Sequence, residues 1–163
     1  LGASELPYMM TESGSAAGIG GQVPQLPHPE RNLATYRALA SSIRAGWVRT
    51  AHDCSEGGLA VALAEMCIGG RIGAFVDIDG TGEANVWGRL WGESLGRFVI
   101  AVPPQHEAAF LSAMKGHHTT VLGEVVDDAT LTITDGDDVL VSMEVGNMAQ
   151  VWKGRLDLTG GMV

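Results

Sequence analysis

The sequence predicts an α+β fold, a layered α/β/α arrangement in which helices flank a mixed β-sheet. Apolar residues recur at helical spacing in two separate segments, and short alternating or continuous apolar runs typical of strands follow them. The last two runs enclose an Asp-Gly turn, which indicates a hairpin. Helices and strands that interleave in this way favour a mixed sheet with helices packed on it. The 163 residues correspond to one domain that is long enough to bury a substantial core.

The early part of the chain contains a loop, a helix and a strand. Residues 12–29 carry repeated Gly, Ser and Pro, and we expect them to form a loop. A helix should begin at Pro29 and stop at Gly46, because proline favours the first helical position and glycine the carboxyl end. A strand is predicted over 47–50, where β-favouring side chains precede a polar stretch. The apolar face of the predicted helix consists of Leu33, Tyr36, Leu39, Ala40 and Ile43.

The polar stretch leads from this strand into a second helix through a short, glycine-bearing turn. The helix is predicted over 59–70 from the spacing of its apolar residues. Such a junction points backbone N–H groups and the positive end of a helix dipole at one spot, where a phosphate can be held. Ser55 or Asp53 as a plain helix cap, with Gly57 and Gly58 only permitting the turn, is the commoner explanation of this pattern. Both explanations stay open on the pattern alone.

The later elements are predicted from short local signals. The run at 98–102 is continuous and apolar, and we expect it to be a buried strand. In the helix over 83–91, Val86, Trp87 and Leu90 are expected to face inward as packing residues. The further predicted elements are strands over 74–78 and 119–125, a helix over 107–114, a hairpin of 130–134 with 139–143, a helix over 145–152 and a loose end at 156–163.

Composition and cysteine content exclude several classes of function. Ten basic residues against nineteen acidic ones give a net charge of −9, so a nucleic acid or an anionic membrane is not expected as a partner. Nothing resembles a membrane span or a signal peptide, and two cysteines fit a reducing compartment, so we expect a cytoplasmic protein. His52 and Cys54 lack the spacing of a zinc site, and no metal site is expected. Cys54 as a nucleophile is not favoured either.

Three segments resemble one protein family in order and rough spacing. Residues 52–66, His-Asp-Cys-Ser-Glu-Gly-Gly-Leu-Ala-Val-Ala-Leu-Ala-Glu-Met, are similar to the His-Asp-x-Ser-(Asp/Glu)-Gly-Gly-Leu signature of the phosphoribosylformylglycinamidine synthases. Residues 1–6 resemble the family's Leu-Gly-(Gly/Ala)-Ser-Glu segment, and residues 90–98 its Leu-Phe-x-Glu-Ser-x-x-Arg-Phe segment. The sequence departs from the family at Cys54 and at 91–92, and neither departure touches an expected ligand.

The resemblance implies that the chain is a fragment of a larger enzyme, covering about its last quarter. That enzyme is an ATP- and glutamine-dependent ligase of purine biosynthesis, which converts formylglycinamide ribonucleotide into formylglycinamidine ribonucleotide. ATP and Mg²⁺ would be bound mainly by N-terminal domains outside this chain, so no catalytic residue is expected in the fragment. The implied fold is that of the C-terminal domain of aminoimidazole ribonucleotide synthetase. The implied partners are a phosphorylated small-molecule substrate, the N-terminal ATP-binding domains, a glutaminase subunit or domain and a small bridging subunit.

The resemblance also implies that this domain forms one wall of a substrate or nucleotide cleft. A second polar cluster follows the short helix at 83–91, where a structural ion pair of Glu93 with Arg97 competes with ligand contact. Three questions stay open: whether the cleft is catalytic or holds a structural nucleotide, whether another member of the superfamily fits better, and whether the domain is a packing module without its own ligand. The expected substrate- or phosphate-binding residues are Gly2, Ala3, Ser4, His52, Asp53, Ser55, Glu56, Gly57 and Gly58, and the second cluster is Glu93, Ser94 and Arg97.

Overall fold

A computed structural model of the chain describes residues 4–12, 28–82 and 85–154. Its elements belong to two compact units, the first formed by Leu1–Ala62 with Gly80–Val121 and the second by Leu63–Asp79 with Leu122–Val163. The helices are α1 (Glu5–Glu12), α2 (Pro29–Arg44), α3 (Gly58–Gly70), α4 (Val86–Trp91), α5 (Glu107–Ala113) and α6 (Val145–Gly154), with a 3-10 turn at Pro104–His106. The strands are β1 (Thr50–Asp53), β2 (Gly73–Asp77), β3 (Phe98–Ala101), β4 (Gly123–Val126), β5 (Thr130–Asp135) and β6 (Asp138–Glu144).

The first unit pairs β1 with β3 in a two-stranded antiparallel sheet. Thr50 lies opposite Ala101 and Asp53 opposite Phe98, so the start of β3 adjoins the end of β1. Helix α2 begins at Pro29 and is followed by Gly46 at φ +77°, as the terminal signals predict. Its inner face joins a small apolar core centred on Leu39, Phe110 and Met114.

The second unit contains a four-stranded mixed sheet in the order β4-β2-β5-β6. Strand β2 is antiparallel to β4 and parallel to β5, and β5 forms a hairpin with β6 whose turn places Gly136 at φ +61°. Alternate residues of the central strands are buried on one face, with Leu131 and Ile133 almost completely excluded from solvent. The predicted hairpin and the predicted mixed sheet with helices are both present.

Two strand starts and one helix differ from the sequence prediction. Strand β1 begins at Thr50 rather than Trp47, because the Trp47 amide closes the turn after α2 by donating to Ser42 O and the ladder with β3 covers only residues 50–53. Strand β4 begins at Gly123 rather than residue 119, since its ladder with β2 covers only 123–126. Helix α1 was not predicted at all.

Two burial predictions are wrong. Strand β3 was expected to be buried, yet only Val99 of its four residues is buried and Phe98 is 39% exposed. Its single partner strand leaves much of its surface open, which a continuous apolar run does not reveal. Trp87 was expected to face inward and is 45% exposed, whereas Leu90 of the same helix is buried.

Some predictions lie wholly or mostly outside the described residues. The loop predicted at 12–29 is described only at its two ends. The loose end predicted at 156–163 and the first two residues of the helix predicted from residue 83 lie outside the described residues. Within residues 4–12, 28–82 and 85–154, no helix combines the length and apolar character that crossing a bilayer requires.

Candidate functional site

The predicted site residues divide into those that the structure describes and those that it does not. Gly2 and Ala3 lie outside the described residues, while Ser4 is described and buried. His52 and Asp53 form the end of β1 rather than part of the turn, and a loop at 54–57 joins β1 to α3. The 52–58 stretch and the cluster at 93–97 lie together in the first unit.

The signature stretch and the second cluster interlock through backbone groups. The Gly57 amide donates to Glu93 Oε1 at 2.9 Å, and the Cys54 amide donates to Arg97 O at 3.0 Å. A Cβ on Gly58 would lie 2.7 Å from Gly92 O, so the first turn of α3 packs directly against the backbone that ends α4. The two motifs, which the sequence separates by more than thirty residues, therefore form one structural unit.

The two glycines of the signature are required by backbone conformation and by space. Gly57 has φ +78° and Gly58 φ +63°, a region that side chains other than glycine rarely adopt. A Cβ at Gly57 would also overlap the side chain of Val61 in the first turns of α3. The turn therefore needs both glycines whether or not a ligand is bound.

The amino end of α3 already has an acidic neighbour. The Glu93 carboxylate accepts the Gly57 amide there, and the Gly58 amide donates to Ser55 O at 3.0 Å. A carboxylate in this position satisfies a free amide and matches the positive end of the helix dipole, as a phosphate would. Two amides expected to bind phosphate are thus engaged within the chain. Among the described residues, the amides of Ser55 and Glu56 have no such partner.

The polar side chains at the end of β1 form a local hydrogen-bonded group. The Ser55 hydroxyl donates to Asp53 Oδ2, and this bond is the first cause that lowers the pKa of Asp53, followed by its own backbone amide and the charge of His52. His52 Nδ1 lies 2.7 Å from Asp53 O. A carbonyl oxygen can only accept, so Nδ1–H is the donor in this contact.

Arg97 and Glu93 are positioned by backbone groups. The Arg97 guanidinium donates to Gly92 O and, at 3.4 Å, to Arg89 O, near the carboxyl end of α4 where a cation matches the helix dipole. Glu93 accepts from the turn before α3, as described above. Ser94 is exposed beside them. These contacts give Glu93 and Arg97 structural roles through the main chain.

An open cleft of about 510 Å³ lies beside the 54–57 loop within the first unit. Asp53, Glu56 and Glu93 contribute carboxylates to its lining, and Arg97 contributes a guanidinium. Tyr36, Leu95 and Phe98 also line this cleft. Tyr36 lies on the predicted apolar face of α2 but is 37% exposed. Its place beside this cleft depends on α2 lying next to β3, which the sequence alone does not show.

Cysteine and metal chemistry find no support at this site. Cys54 is buried, and burial raises the pKa of its thiol despite the opposing charge of Arg97, so it remains protonated and a poor nucleophile. Within the part of the chain that the structure describes, no group of three His, Cys, Asp or Glu side chains could hold a metal ion.

Comparison with known proteins identifies the family. Residues 5–136 match the family described as AIR synthase related protein, C-terminal domain. The chain belongs to this family. Its resemblance to a phosphoribosylformylglycinamidine synthase, inferred above from three motifs, is matched by a curated relative, subunit PurL of Synechocystis sp. (strain ATCC 27184 / PCC 6803 / Kazusa), which is 34% identical over 139 residues.

Solved structures confirm the fold of this AIR synthase-related C-terminal domain. Thermotoga maritima PurL complexed with FGAR has a TM-score of 0.68 at 24% identity, covering 77% of this chain and 22% of that one. The structure of PurLQS from Thermotoga maritima gives the same values, and T. maritima PurL complexed with ATP has a TM-score of 0.64 over 71% of this chain. The chain spans only 18% of the length of the Synechocystis relative and 22% or less of these structures.

Proposed function

We propose that this domain is part of a phosphoribosylformylglycinamidine synthase, the ligase that forms formylglycinamidine ribonucleotide from formylglycinamide ribonucleotide, ATP and glutamine-derived ammonia. The observation that carries the proposal is the 34% identity with PurL over 139 residues, which includes the signature stretch. In this reaction ATP activates the amide oxygen and ammonia displaces phosphate. Two buried free cysteines fit a cytoplasmic enzyme.

ATP and Mg²⁺ belong to other domains of that enzyme. Complexes of T. maritima PurL with ATP, ADP and AMPPCP support nucleotide binding by the full-length protein. The described residues of this chain hold no group of three His, Cys, Asp or Glu side chains that could bind a metal ion, and we assign Mg²⁺ to the N-terminal domains with ATP. The PurLQS assembly of T. maritima supports a glutaminase partner and a small bridging subunit.

We place this domain at one wall of a substrate or nucleotide cleft that the ATP-binding domains complete. The phosphate contacts come from the Ser55 and Glu56 amides and from the His52 ring, because the Gly57 and Gly58 amides are engaged within the chain. The glycines then serve to shape the turn, and Glu93 holds it. Of the phosphate-binding residues expected from the sequence, this proposal keeps His52, Ser55 and Glu56.

Steady-state kinetics of the full-length enzyme test this assignment. A hydrogen bond to a charged group contributes about 1.5–3 kcal/mol, so His52→Ala should raise KM for formylglycinamide ribonucleotide or for ATP by about tenfold or more. His118→Ala, which removes an exposed histidine from a loop remote in sequence, is the matched control. Unchanged KM and kcat in His52→Ala would remove the phosphate assignment, and absence of formylglycinamidine ribonucleotide formation by the unmodified enzyme would remove the proposed activity.

The main alternative is an assembly module without its own ligand. The bond between Glu93 and the Gly57 amide favours it, because an internal carboxylate fills the position where a phosphate was expected. In that case the full-length enzyme is active, and both His52→Ala and Ser55→Ala leave its kinetics unchanged.

A further inference from the structure

The cleft beside the 54–57 loop has a wall of aromatic rings that the phosphate assignment does not use. Tyr36 of α2 and Phe98 of β3 meet edge to face, with ring centroids 5.6 Å apart and planes at 86°. They are 37% and 39% exposed, and the neighbouring Leu95 is more exposed still. Apolar side chains left open together beside charged groups are typical of interaction sites.

This aromatic wall is held in place by the surrounding chain. The Asn32 amide donates to the Tyr36 hydroxyl at 3.5 Å, and a Cβ on Gly96 would lie 2.8 Å from that hydroxyl. The loop that precedes β3 therefore lies against the tyrosine hydroxyl, and Phe98 contacts the ring from the strand. A ring fixed before a partner arrives loses little conformational entropy on binding.

The charge that faces the open cleft is negative. Asp53 and Glu56 both expose their side chains at its edge. Arg97 is the single cation among the described lining residues, and it donates to the carbonyl groups of Gly92 and Arg89. The third carboxylate, that of Glu93, accepts from Gly57. An occupant of the cleft therefore meets two exposed carboxylates, with the local guanidinium directed to the main chain.

We propose that this cleft docks an arginine side chain carried by another domain of the full-length synthase. A guanidinium is planar and weakly hydrated, so it can stack against a tyrosine or phenylalanine ring while its N–H groups reach carboxylates. A lysine ammonium lacks the flat surface that stacks on these rings. We infer an arginine from the residues that line the cleft. That this arginine belongs to the same polypeptide rests on the proposed function.

A peptide titration tests the chemistry. The probe is acetyl-Gly-Arg-Gly-amide, added to the 163-residue chain and followed by amide chemical shifts, with the citrulline peptide as an uncharged matched ligand and inorganic phosphate as the anion. The arginine peptide should shift the resonances of residues that line the cleft, and the citrulline peptide should bind more weakly. Equal binding of both peptides, or binding of phosphate at Tyr36, Leu95 and Phe98 in place of the arginine peptide, would overturn the proposal.

Charge variants show whether the cleft carboxylates are responsible. Glu56→Gln and Asp53→Asn should each weaken arginine-peptide binding by roughly two- to fivefold, the range of a solvent-exposed ion pair. Asp137→Asn removes the same charge from the exposed β5–β6 turn and should leave the affinity unchanged. If Asp137→Asn weakens binding of the arginine peptide as much as Glu56→Gln does, the effect is one of net charge and the proposal fails. If Asp53→Asn does not fold, Glu56→Gln alone decides the test.

Arginine footprinting of the full-length enzyme tests the source. Phenylglyoxal modification, read by mass spectrometry, should show one arginine outside this domain but in the same polypeptide that is protected in the unmodified enzyme and reactive in Glu56→Gln. Protection of an arginine in a separate glutaminase or bridging subunit, or no difference between the two enzymes, would overturn the assignment of source. If the enzyme is active but no arginine is protected from phenylglyoxal, only the inference about the arginine is contradicted. If the arginine peptide binds but the protein does not form formylglycinamidine ribonucleotide, only the proposed function is contradicted.

Discussion

Replacing Glu93 should destabilise the domain, because its carboxylate holds the turn that begins α3. Glu93→Ala removes a 2.9 Å hydrogen bond to the Gly57 amide. A bond to a charged acceptor contributes about 1.5–3 kcal/mol when well buried, and Glu93 is only half-buried, so we expect a loss of about 1–2 kcal/mol in the free energy of unfolding. For a chain of this size that corresponds to a fall in Tm of roughly 3–6 °C. Glu93→Gln keeps an acceptor oxygen and should lose about half as much.

Urea unfolding of the 163-residue chain, followed by circular dichroism, measures the effect. Glu124→Ala, an exposed carboxylate on the edge strand β4, is the control and should change stability by less than about 0.5 kcal/mol. Inorganic phosphate should raise the Tm of Glu93→Ala more than that of the unmodified chain, because the Gly57 amide becomes available to an anion. Equal stability of Glu93→Ala and Glu124→Ala would refute the role of the carboxylate.

Gly58→Ala should lower the free energy of unfolding by about 3 kcal/mol or more, and Gly80→Ala by only about 1–2 kcal/mol. Both glycines have positive φ, but only Gly58 also packs on backbone carbonyl groups. Equal losses in urea unfolding would contradict that contact. Ser55→Ala should raise the pKa of the Asp53 carboxyl toward its ordinary value of 3.8, measured by carbon-detected NMR titration. Since the folded pKa is lowered, the stabilisation from this bond is present above about pH 4 and is lost as the pH falls through the folded pKa; an unchanged pKa would exclude the bond. Cys54 should react with a disulfide reagent only as fast as the chain unfolds, whereas rapid reaction of the folded chain would contradict its burial and raised pKa.

Elements with strong local signals could be predicted from the sequence. Helix α2 carries Pro29 at its first turn and Gly46 just beyond its end, and the hairpin of β5 and β6 encloses the Asp135-Gly136 turn. In both cases the residues that set the backbone conformation lie within the element or next to it. Local chemistry therefore determined where these elements lie.

Strand limits and burial depend on partners that are distant in sequence. The run at 98–102 has the composition of a buried strand, but β3 pairs only with β1, and Phe98 is consequently exposed. Likewise the ends of β1 and β4 are set by how far their partner strands extend. Trp87 is exposed although its size suggests packing, because only one side of the short helix α4 faces the unit.

The candidate site shows the same limit. The sequence presented the signature stretch and the Glu93–Arg97 cluster as two separate groups, since Gly57 and Glu93 are 36 positions apart. Only the folded chain brings the carboxylate to the amide, and that contact changes which donors remain for a phosphate. The cleft beside Tyr36 could not be foreseen either, because α2 and β3 meet there through tertiary packing.

A crystal structure of the 163-residue chain grown in a high concentration of phosphate tests the central claim most directly. The account predicts that Glu93 Oε1 stays on the Gly57 amide and that any bound phosphate lies at the amides of Ser55 and Glu56. A phosphate bound to the Gly57 and Gly58 amides, with Glu93 displaced from the amino end of α3, would contradict it.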